Sequence, residues 1–298
     1  RFAYLTICGA LEARSQAVIV SSTGNHGAAT AAYAAKAGLP CIVLAPPHIP
    51  TAVRSFLLAY GAALVIFARK AAWSIIGEGA HKGLWYPAST FTPTPTGPPY
   101  GVEGYKTIAY EIWLQLGRRV PTLVLVPTGY GELLYGVWKG FRELRHLGLT
   151  ESAPRMVACE PAALGPLRQA LSRGKTIASV SSQPTIAYAI AATVNGYRAV
   201  LAIQESDGFA VPVSDEDVEQ AQQQLGLFGL WAEASAAASL AGLRQVASQG
   251  EQVTGPVVCI STSSGFKDLL VGTAEAPSAE PTWEGLEETL MRHYGIVL

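Results

Sequence analysis

The chain has 298 residues, of which 49% are hydrophobic and 14% are charged, and its formal net charge at pH 7 is −1. That length and apolar content predict one large or two modest globular domains with a substantial core. A near-neutral chain has no basic stripe for the phosphates of a nucleic acid, and its apolar runs fall short of the roughly 20 residues of a membrane helix. We therefore expect neither a nucleic-acid partner nor membrane association.

The first hundred residues alternate apolar runs with helical patterns. Strands are predicted at residues 17–21, 40–45 and 63–68, and helices at residues 28–37, 51–60 and 71–81. Continuous apolar strands separated by helices indicate a parallel sheet that is covered on both faces. Five prolines in residues 87–100 interrupt this rhythm and predict a loop between two domains or over a cleft.

The alternation resumes after this loop. Helices are predicted at residues 107–116 and 134–144, and strands at residues 122–126, 155–159 and 256–260. Residues 214–225 begin with Ser-Asp-Glu-Asp, which suits an N-cap and the positive end of a helix dipole. The alanine-rich residues 232–241 predict a helix that packs closely against another element.

The four cysteines, Cys8, Cys41, Cys159 and Cys259, each lie in or beside an apolar run, and none is two residues from another. They lack the spacing of a zinc site, so no metal is expected. The beginning of the chain lacks the basic and then apolar layout of a signal peptide. We therefore expect buried, reduced thiols in a cytoplasmic protein.

Three polar turns that contain glycine follow predicted strands. They are Ser-Ser-Thr-Gly-Asn-His-Gly at residues 21–27, Pro-Thr-Gly-Tyr-Gly-Glu-Leu at residues 127–133 and Ser-Thr-Ser-Ser-Gly at residues 261–265. In an open parallel sheet, ligands bind at the carboxyl ends of the strands, where helix N-termini attract anions. None of the three has the dinucleotide fingerprint or the P-loop pattern. Each alone is typical of an ordinary turn, but together they favour a shared ligand that carries a phosphate.

Six motifs follow one another along the chain. They are Ser-Thr-Gly-Asn at residues 22–25, Gly-Tyr-Lys-Thr-Ile-Ala-Tyr-Glu-Ile at residues 104–112, Val-Pro-Thr-Gly-Tyr-Gly at residues 126–131, Glu-Pro at residues 160–161, Trp-Ala-Glu-Ala-Ser at residues 231–235 and Ser-Ser-Gly-Phe-Lys-Asp at residues 263–268. Their types and order resemble the threonine synthase branch of the pyridoxal-phosphate enzymes related to the tryptophan synthase β-subunit. The likeness extends from about residue 1 to about residue 270.

This resemblance implies fold type II of the pyridoxal-phosphate enzymes. The fold is α/β, with two open, mostly parallel twisted sheets flanked by helices and the cofactor in the cleft between two domains. It implies a leading helix in residues 1–16, a smaller domain in residues 17–98 and a larger, cofactor-binding domain in residues 99–298. It also implies a homodimer, because the relatives are usually dimers.

The resemblance further implies roles for single residues. Asn25 would donate its amide to the ring hydroxyl oxygen of the cofactor, and Thr262 would meet the pyridine nitrogen. A neutral hydroxyl there suits β- and γ-elimination and replacement chemistry. Ser22, Thr23 and His26 lie where relatives bind the substrate carboxylate. The cofactor phosphate would be wrapped by the backbone N–H groups of Gly129, Tyr130, Gly131, Glu132 and Leu133.

Three side chains in or directly after these motifs leave alternatives open. A carboxylate beside a phosphate is repulsive unless it points away or is neutralised, so we expect Glu132 to turn outwards. His26 suits substrate contact and the capping of the following helix equally well. Glu233 is kept as a further candidate, because its alanine-rich surroundings would allow it to approach the cofactor.

Enzymes of this kind hold their cofactor as an imine on a lysine, within a Ser-Phe-Lys-Asp-Arg-like segment. Arg1-Phe2-Ala3-Tyr4 resembles the continuation of that segment. We therefore expect the Schiff-base lysine upstream of Arg1, so that no catalytic lysine lies in this chain and the chain is inactive as a fragment. Lys267 stands in a similar string, Ser-Gly-Phe-Lys-Asp, at the wrong end of the chain. The imine lysine is one interpretation of Lys267, and a surface or helix-capping lysine, which we expect, is the other.

Three hypotheses for function follow. The first is a threonine-synthase-like lyase that converts O-phosphohomoserine and water into threonine and phosphate, which the motifs at residues 104–112 and 126–131 favour. The second is a threonine or serine dehydratase, which the Asn-His-Gly ending of the first turn favours. The third is a catalytically dead, ligand-binding paralogue, which the expected absence of the lysine favours.

Overall fold

A computed structural model describes residues 1–22, 24–47, 49–92, 94–250, 253–267 and 276–297. The chain divides into two compact units, Arg1–Lys267 and Asp268–Leu298. In the described part of the second unit, helix α11 (Trp283–Tyr294) begins at Thr282, whose hydroxyl accepts the N–H of Gly285. The remaining elements belong to the first unit. None of the described helices is both long and apolar enough to cross a lipid bilayer.

The first sheet follows the predicted alternation. Its strands are β1 (Val18–Ser21), β2 (Cys41–Ala45), β3 (Ala63–Ile66) and β4 (Tyr86–Pro87), and they are all parallel in the order β3-β2-β1-β4. The helices of this part are α1 (Phe2–Glu12), α2 (Asn25–Lys36), α3 (Thr51–Ala59) and α4 (Arg69–His81). Each crossover helix joins the carboxyl end of one strand to the beginning of the next, which directs the helix N-termini toward one edge of the sheet.

The second sheet contains β5 (Leu123–Pro127), β6 (Arg155–Pro161), β7 (Phe209–Val213) and β8 (Val257–Cys259), also all parallel, in the order β7-β6-β5-β8. Its helices are α5 (Pro99–Gln115), α6 (Glu132–His146), α7 (Pro166–Ser172), α8 (Tyr197–Glu205), α9 (Asp215–Leu227) and α10 (Ala234–Ser248). Within the described residues, the protein thus has two parallel four-stranded sheets flanked by helices, and the predicted fold is confirmed.

The central strand β5 explains why the apolar runs are continuous. Leu123 and Leu125 point to a core cluster with the alanines of α10, whereas Val124 and Val126 point to the cluster around Phe141 of α6. Both faces of the strand are therefore buried. The predicted close packing of the alanine-rich helix is also confirmed, because a Cβ at Gly242 of α10 would lie 2.3 Å from the sulfur of Cys159.

Several predicted boundaries differ from the structure. The predicted helix at residues 107–116 begins at Pro99, because a proline fits the first helical turn and lacks only an N–H that would have no helical partner. Strand β4 lies partly in the predicted loop, where its two residues pair with β1. Elements α7, α8 and β7 were not predicted. The expectation of buried thiols is wrong for Cys8, which is exposed on α1.

Candidate functional site

A cavity lies where the carboxyl ends of strands from both sheets meet. Its volume is about 850 Å³. It is lined by residues that follow β1, β4, β5 and β8, including Asn25, Ser89, Gly131 and Thr262. The first residues of α2 and α6 belong to the same lining, so two helix N-termini open toward the cavity. Such an arrangement favours an anionic ligand.

The first polar turn is organised by Ser22. Its hydroxyl oxygen accepts the backbone N–H of Gly24 at 3.1 Å and that of Gly27 at 2.9 Å. Ser22 thereby occupies donors at the beginning of α2 that would otherwise have no helical partner. The side chain lines the cavity, but its oxygen is already used in shaping the turn. Thr23 lies outside the described residues.

Asn25 is the first residue of α2 and lines the cavity. Its amide nitrogen donates to the carboxylate of Glu233, at 2.9 Å from one oxygen and 3.1 Å from the other. Its amide oxygen accepts a hydrogen bond from the ammonium of Lys267. The amide that is predicted to meet the cofactor is therefore held by the N-cap residue of α10 and by a lysine that follows β8.

His26 also lines the cavity, and its ring lies edge-on to Phe2 with the ring centroids 5.1 Å apart. Its Nε2 is 2.8 Å from the carbonyl oxygen of Ala88. A carbonyl accepts only, so Nε2 carries a proton, and in the neutral form of the ring Nδ1 then carries none. Burial lowers the pKa of His26 and outweighs this hydrogen bond. The imidazole does not cap α2, since the N-cap is Gly24 without a side-chain bond.

The second polar turn joins β5 to α6, and its residues 129–133 all line the cavity. Gly131, the N-cap of α6, has φ +89°, a left-handed conformation that favours glycine. A Cβ at this position would lie 2.3 Å from the Cβ of Ala199. The carbonyl of Tyr130 accepts the N–H of Gly196 at 3.0 Å. The contacts with Gly196 and Ala199 therefore hold the turn in place, and the first N–H groups of α6, which have no acceptor within the helix, belong to residues that line the cavity.

The expectation that Glu132 turns outwards is wrong. Its carboxylate lies 2.9 Å from the guanidinium of Arg198 and accepts the N–H of Gly97 at 3.0 Å, and both charged side chains are about 15% exposed. The negative charge is neutralised rather than directed into solvent, which removes the repulsion that the expectation assumed. Nearby Tyr105 also lines the cavity, and burial together with the charge of Glu132 raises the pKa of Tyr105 to about 12.

The third turn brings Thr262, Ser263 and Lys267 to the cavity. Thr262 is exposed to this space. The expectation for Lys267 is wrong, because its side chain is 15% exposed and its ammonium lies 2.5 Å from the hydroxyl of Ser263 and 3.3 Å from the carboxylate of Glu233. Glu233 itself is 2% exposed. Because Glu233 and Lys267 both line the cavity, both belong to the candidate site.

Other parts of the lining were not predicted. Residues 188–192 lie against the cavity, and Ser235 of α10 holds them by accepting the N–H of Ala189 at 3.0 Å. Trp73 of α4 contacts Tyr130 of the second turn, with the ring centroids 6.3 Å apart. Residues 188–192 show no periodicity, and a single tryptophan in a helix gives no signal of its direction. Across the described residues, no group of three or more His, Cys, Asp or Glu side chains is arranged to hold a metal ion.

Comparison with known proteins agrees with this geometry. The profile of the family described as "Pyridoxal-phosphate dependent enzyme" matches residues 1–263. The threonine synthases of Methanosarcina acetivorans and Methanocaldococcus jannaschii are each 34% identical to this chain, over 90% and 83% of its length. The chain spans 67% of the first relative and 62% of the second.

Solved structures show the same fold. Maize serine racemase superposes with a TM-score of 0.74 at 20% identity, covering 98% of this chain and 83% of that one. Threonine deaminase isoform 2 from Solanum lycopersicum superposes with a TM-score of 0.75 at 22% identity, covering 92% and 77%. At these identities the likeness concerns the fold alone. The family match and the threonine synthase relatives together show that this chain belongs to the pyridoxal-phosphate dependent enzyme family.

Proposed function

We propose that the chain binds pyridoxal phosphate with the phosphate at residues 129–133 and the ring between Asn25 and Thr262. The observation that carries this proposal is the second turn. Gly131 allows the backbone to approach a ligand closely at the N-terminus of α6, and this turn opens into the same cavity as Asn25. Backbone N–H groups and a helix dipole are suited to a phosphate dianion. The residues of the cavity therefore fit the cofactor.

The neighbouring groups support the same placement. The amide of Asn25 can donate to the ring hydroxyl oxygen, and the hydroxyl of Thr262 can pair with the pyridine nitrogen without forcing its protonation. Arg198 keeps the carboxylate of Glu132 from repelling the phosphate. Ser22 and Thr23 are proposed to bind the substrate carboxylate with their hydroxyl groups. The resemblance places His26 beside them, but its neutral imidazole already donates its one N–H to the carbonyl oxygen of Ala88, so His26 is proposed to shape this part of the site rather than to donate to the carboxylate.

We propose threonine-synthase-like activity, which turns O-phosphohomoserine and water into threonine and phosphate. The threonine synthase relatives support this assignment, at 34% identity over most of the chain. Bound pyridoxal phosphate supplies an electron sink for the substrate carbanion, and the protein supplies binding and orientation. The division into residues 17–98 and 99–298 is part of the proposal, since each range holds one sheet. A cytoplasmic homodimer is proposed as well, and light scattering after size exclusion tests the dimer.

The discriminating experiment mixes the purified full-length protein, loaded with pyridoxal phosphate, with O-phosphohomoserine. Release of phosphate together with threonine supports the proposal. A threonine or serine dehydratase, which the Asn-His-Gly turn at residues 25–27 favours, would instead form an oxoacid from threonine or serine. Saturable cofactor binding without either reaction would leave a ligand-binding role and refute both activities.

A further inference from the structure

Four polar side chains form a closed cluster on the cavity wall, drawn from three separate parts of the chain. Asn25 begins α2, Glu233 is the N-cap of α10, and Ser263 and Lys267 follow β8. The ammonium of Lys267 contacts the other three: the hydroxyl of Ser263 at 2.5 Å, the carboxylate of Glu233 at 3.3 Å and the amide oxygen of Asn25. The positive and negative charges cancel, so the cluster adds no net charge to the site.

The chemistry of this cluster fixes the orientation of one amide. An asparagine amide can present either its oxygen or its nitrogen to a neighbour, and its partners decide which. An ammonium only donates and a carboxylate only accepts. Lys267 therefore holds the oxygen of Asn25, and Glu233 holds its nitrogen. That nitrogen carries two hydrogen atoms. If one of them is shared by the two carboxylate oxygens of Glu233, the other can be donated to a ligand in the cavity.

The backbone keeps the two charged partners together. Ala232 and Ser264 form an antiparallel bridge, the N–H of Glu233 donates to the carbonyl of Ser263 at 3.1 Å, and the N–H of Gly265 donates to that of Trp231 at 2.9 Å. A Cβ at Gly265 would lie 2.4 Å from the indole of Trp231. The segment before α10 and the short 3-10 turn at Gly265–Lys267 are thus joined as one unit that faces Asn25.

We infer that Lys267 is a positioning residue for the cofactor. Lys267 acts through Asn25, whose amide oxygen it holds, while Glu233 holds the nitrogen of the same amide. This inference rests on the proposed function, in which the amide of Asn25 donates to the ring hydroxyl oxygen. Lys267 fixes the rotamer of the amide before the ligand arrives, and its charge polarises the carbonyl so that the N–H becomes a stronger donor. The ordering of the amide is thereby complete before binding, which favours affinity.

The test is a double-mutant cycle on the dissociation constant of pyridoxal 5′-phosphate, measured by quenching of tryptophan fluorescence. Asn25→Ala is expected to weaken binding about tenfold, and Lys267→Met about fivefold in the wild-type background. Lys267→Met in the Asn25→Ala background is expected to add less than about twofold, because the side chain that it acts through is absent. Lys267→Arg is expected to recover most of the affinity.

Two further variants guard against a folding defect. Lys267→Met leaves the buried carboxylate of Glu233 without its cation, which is costly. The double variant Lys267→Met/Glu233→Gln removes both charges, and it is expected to fold and to show the same weakened binding. Lys82→Met is the matched control, since Lys82 makes an ion pair with Glu78 on the surface, at 59% exposure for both side chains.

The outcomes separate the inference from the proposed function. If wild-type protein shows no saturable binding, or Asn25→Ala does not weaken it, the proposed function fails. If Asn25→Ala weakens binding but Lys267→Met and the charge-free double variant do not, the inference is refuted. Equal losses from Lys267→Met with and without Asn25 would also refute it, because they would mean that Lys267 acts independently of the amide.

Discussion

Replacement of Gly131 by alanine perturbs the proposed phosphate turn at a single carbon atom. The new Cβ would lie 2.3 Å from the Cβ of Ala199, at a residue with φ +89°. A side chain in the left-handed region costs about 1–2 kcal/mol, and overpacking adds about 1–3 kcal/mol. We therefore expect Gly131→Ala to lower the free energy of unfolding in urea by about 2–5 kcal/mol. The turn must also shift to relieve the overlap, so binding of pyridoxal 5′-phosphate is expected to weaken at least tenfold.

Gly148, just past the other end of α6, provides the matched control. Its φ is +70° and an added Cβ would meet nothing within 4 Å, so Gly148→Ala carries the backbone cost without the overlap. We expect a loss of about 1–2 kcal/mol and unchanged cofactor affinity. Equal destabilisation by the two substitutions, with cofactor binding intact in both, would refute the reasoning about the turn.

Three further changes probe buried polar or charged groups, two in the site and one at the beginning of α7. The pKa of His26 in the folded protein is below its ordinary value of 6.5, so the unfolded state binds a proton first as the pH falls. Between pH 7.5 and pH 5.5 the unfolding free energy of the wild type, measured in urea, should therefore fall by about 1 kcal/mol more than that of His26→Gln. Arg198→Met exposes the proposed phosphate site to the uncompensated carboxylate of Glu132, and pyridoxal 5′-phosphate should bind about tenfold more weakly in a fluorescence titration. Glu160 accepts the N–H groups of Leu167 at 2.9 Å and Arg168 at 2.8 Å; Glu160→Leu should lower the unfolding free energy by about 2 kcal/mol in the same urea assay.

Matched variants decide these outcomes. His146→Gln, at an exposed position, should leave the pH dependence unchanged, and a pH profile of His26→Gln that follows wild type would contradict a buried neutral imidazole. Arg142→Met breaks an exposed pair with Glu205 and should not change affinity, whereas an equal loss from both arginine variants would point to a general charge effect. Glu160→Gln keeps an acceptor for α7 and should lose less than about 1 kcal/mol; a loss equal to that of the leucine variant would exclude the capping role.

Much of the fold could be predicted from local patterns. Strand β5 is predicted by its continuous apolar run, which is typical of a strand buried on both faces, and helix α2 is predicted by its alanine-rich composition. The N-cap of α9 is predicted from its Ser-Asp-Glu-Asp beginning and is confirmed, and the structure adds that Ser214 and Asp217 are bonded reciprocally. These features depend only on residues that are neighbours in the chain.

The errors at the site depend on partners that are distant in the chain. The expectation for Glu132 rests on repulsion by a phosphate, and it is wrong because the neutralising partner, Arg198, is 66 residues away and has no signal in the sequence. The expectation for Lys267 rests on the position of its motif, and it is wrong because the partner Asn25 is 242 residues away. No periodicity in the sequence indicates which residue a carboxylate or an ammonium will pair with. The orientation of such a side chain can therefore be determined only from the assembled fold. Residue types and turns therefore locate the site, whereas pairing of charges requires the fold.

The most direct test of the central claim compares pyridoxal 5′-phosphate with pyridoxal, which lacks the phosphate, by calorimetric titration of the purified protein. If residues 129–133 bind the phosphate, the phosphorylated compound should saturate one site per chain and bind at least about tenfold more tightly. Inorganic phosphate should compete with it. Equal affinity for the two compounds, or binding that inorganic phosphate does not reduce, would contradict a phosphate site at the N-terminus of α6.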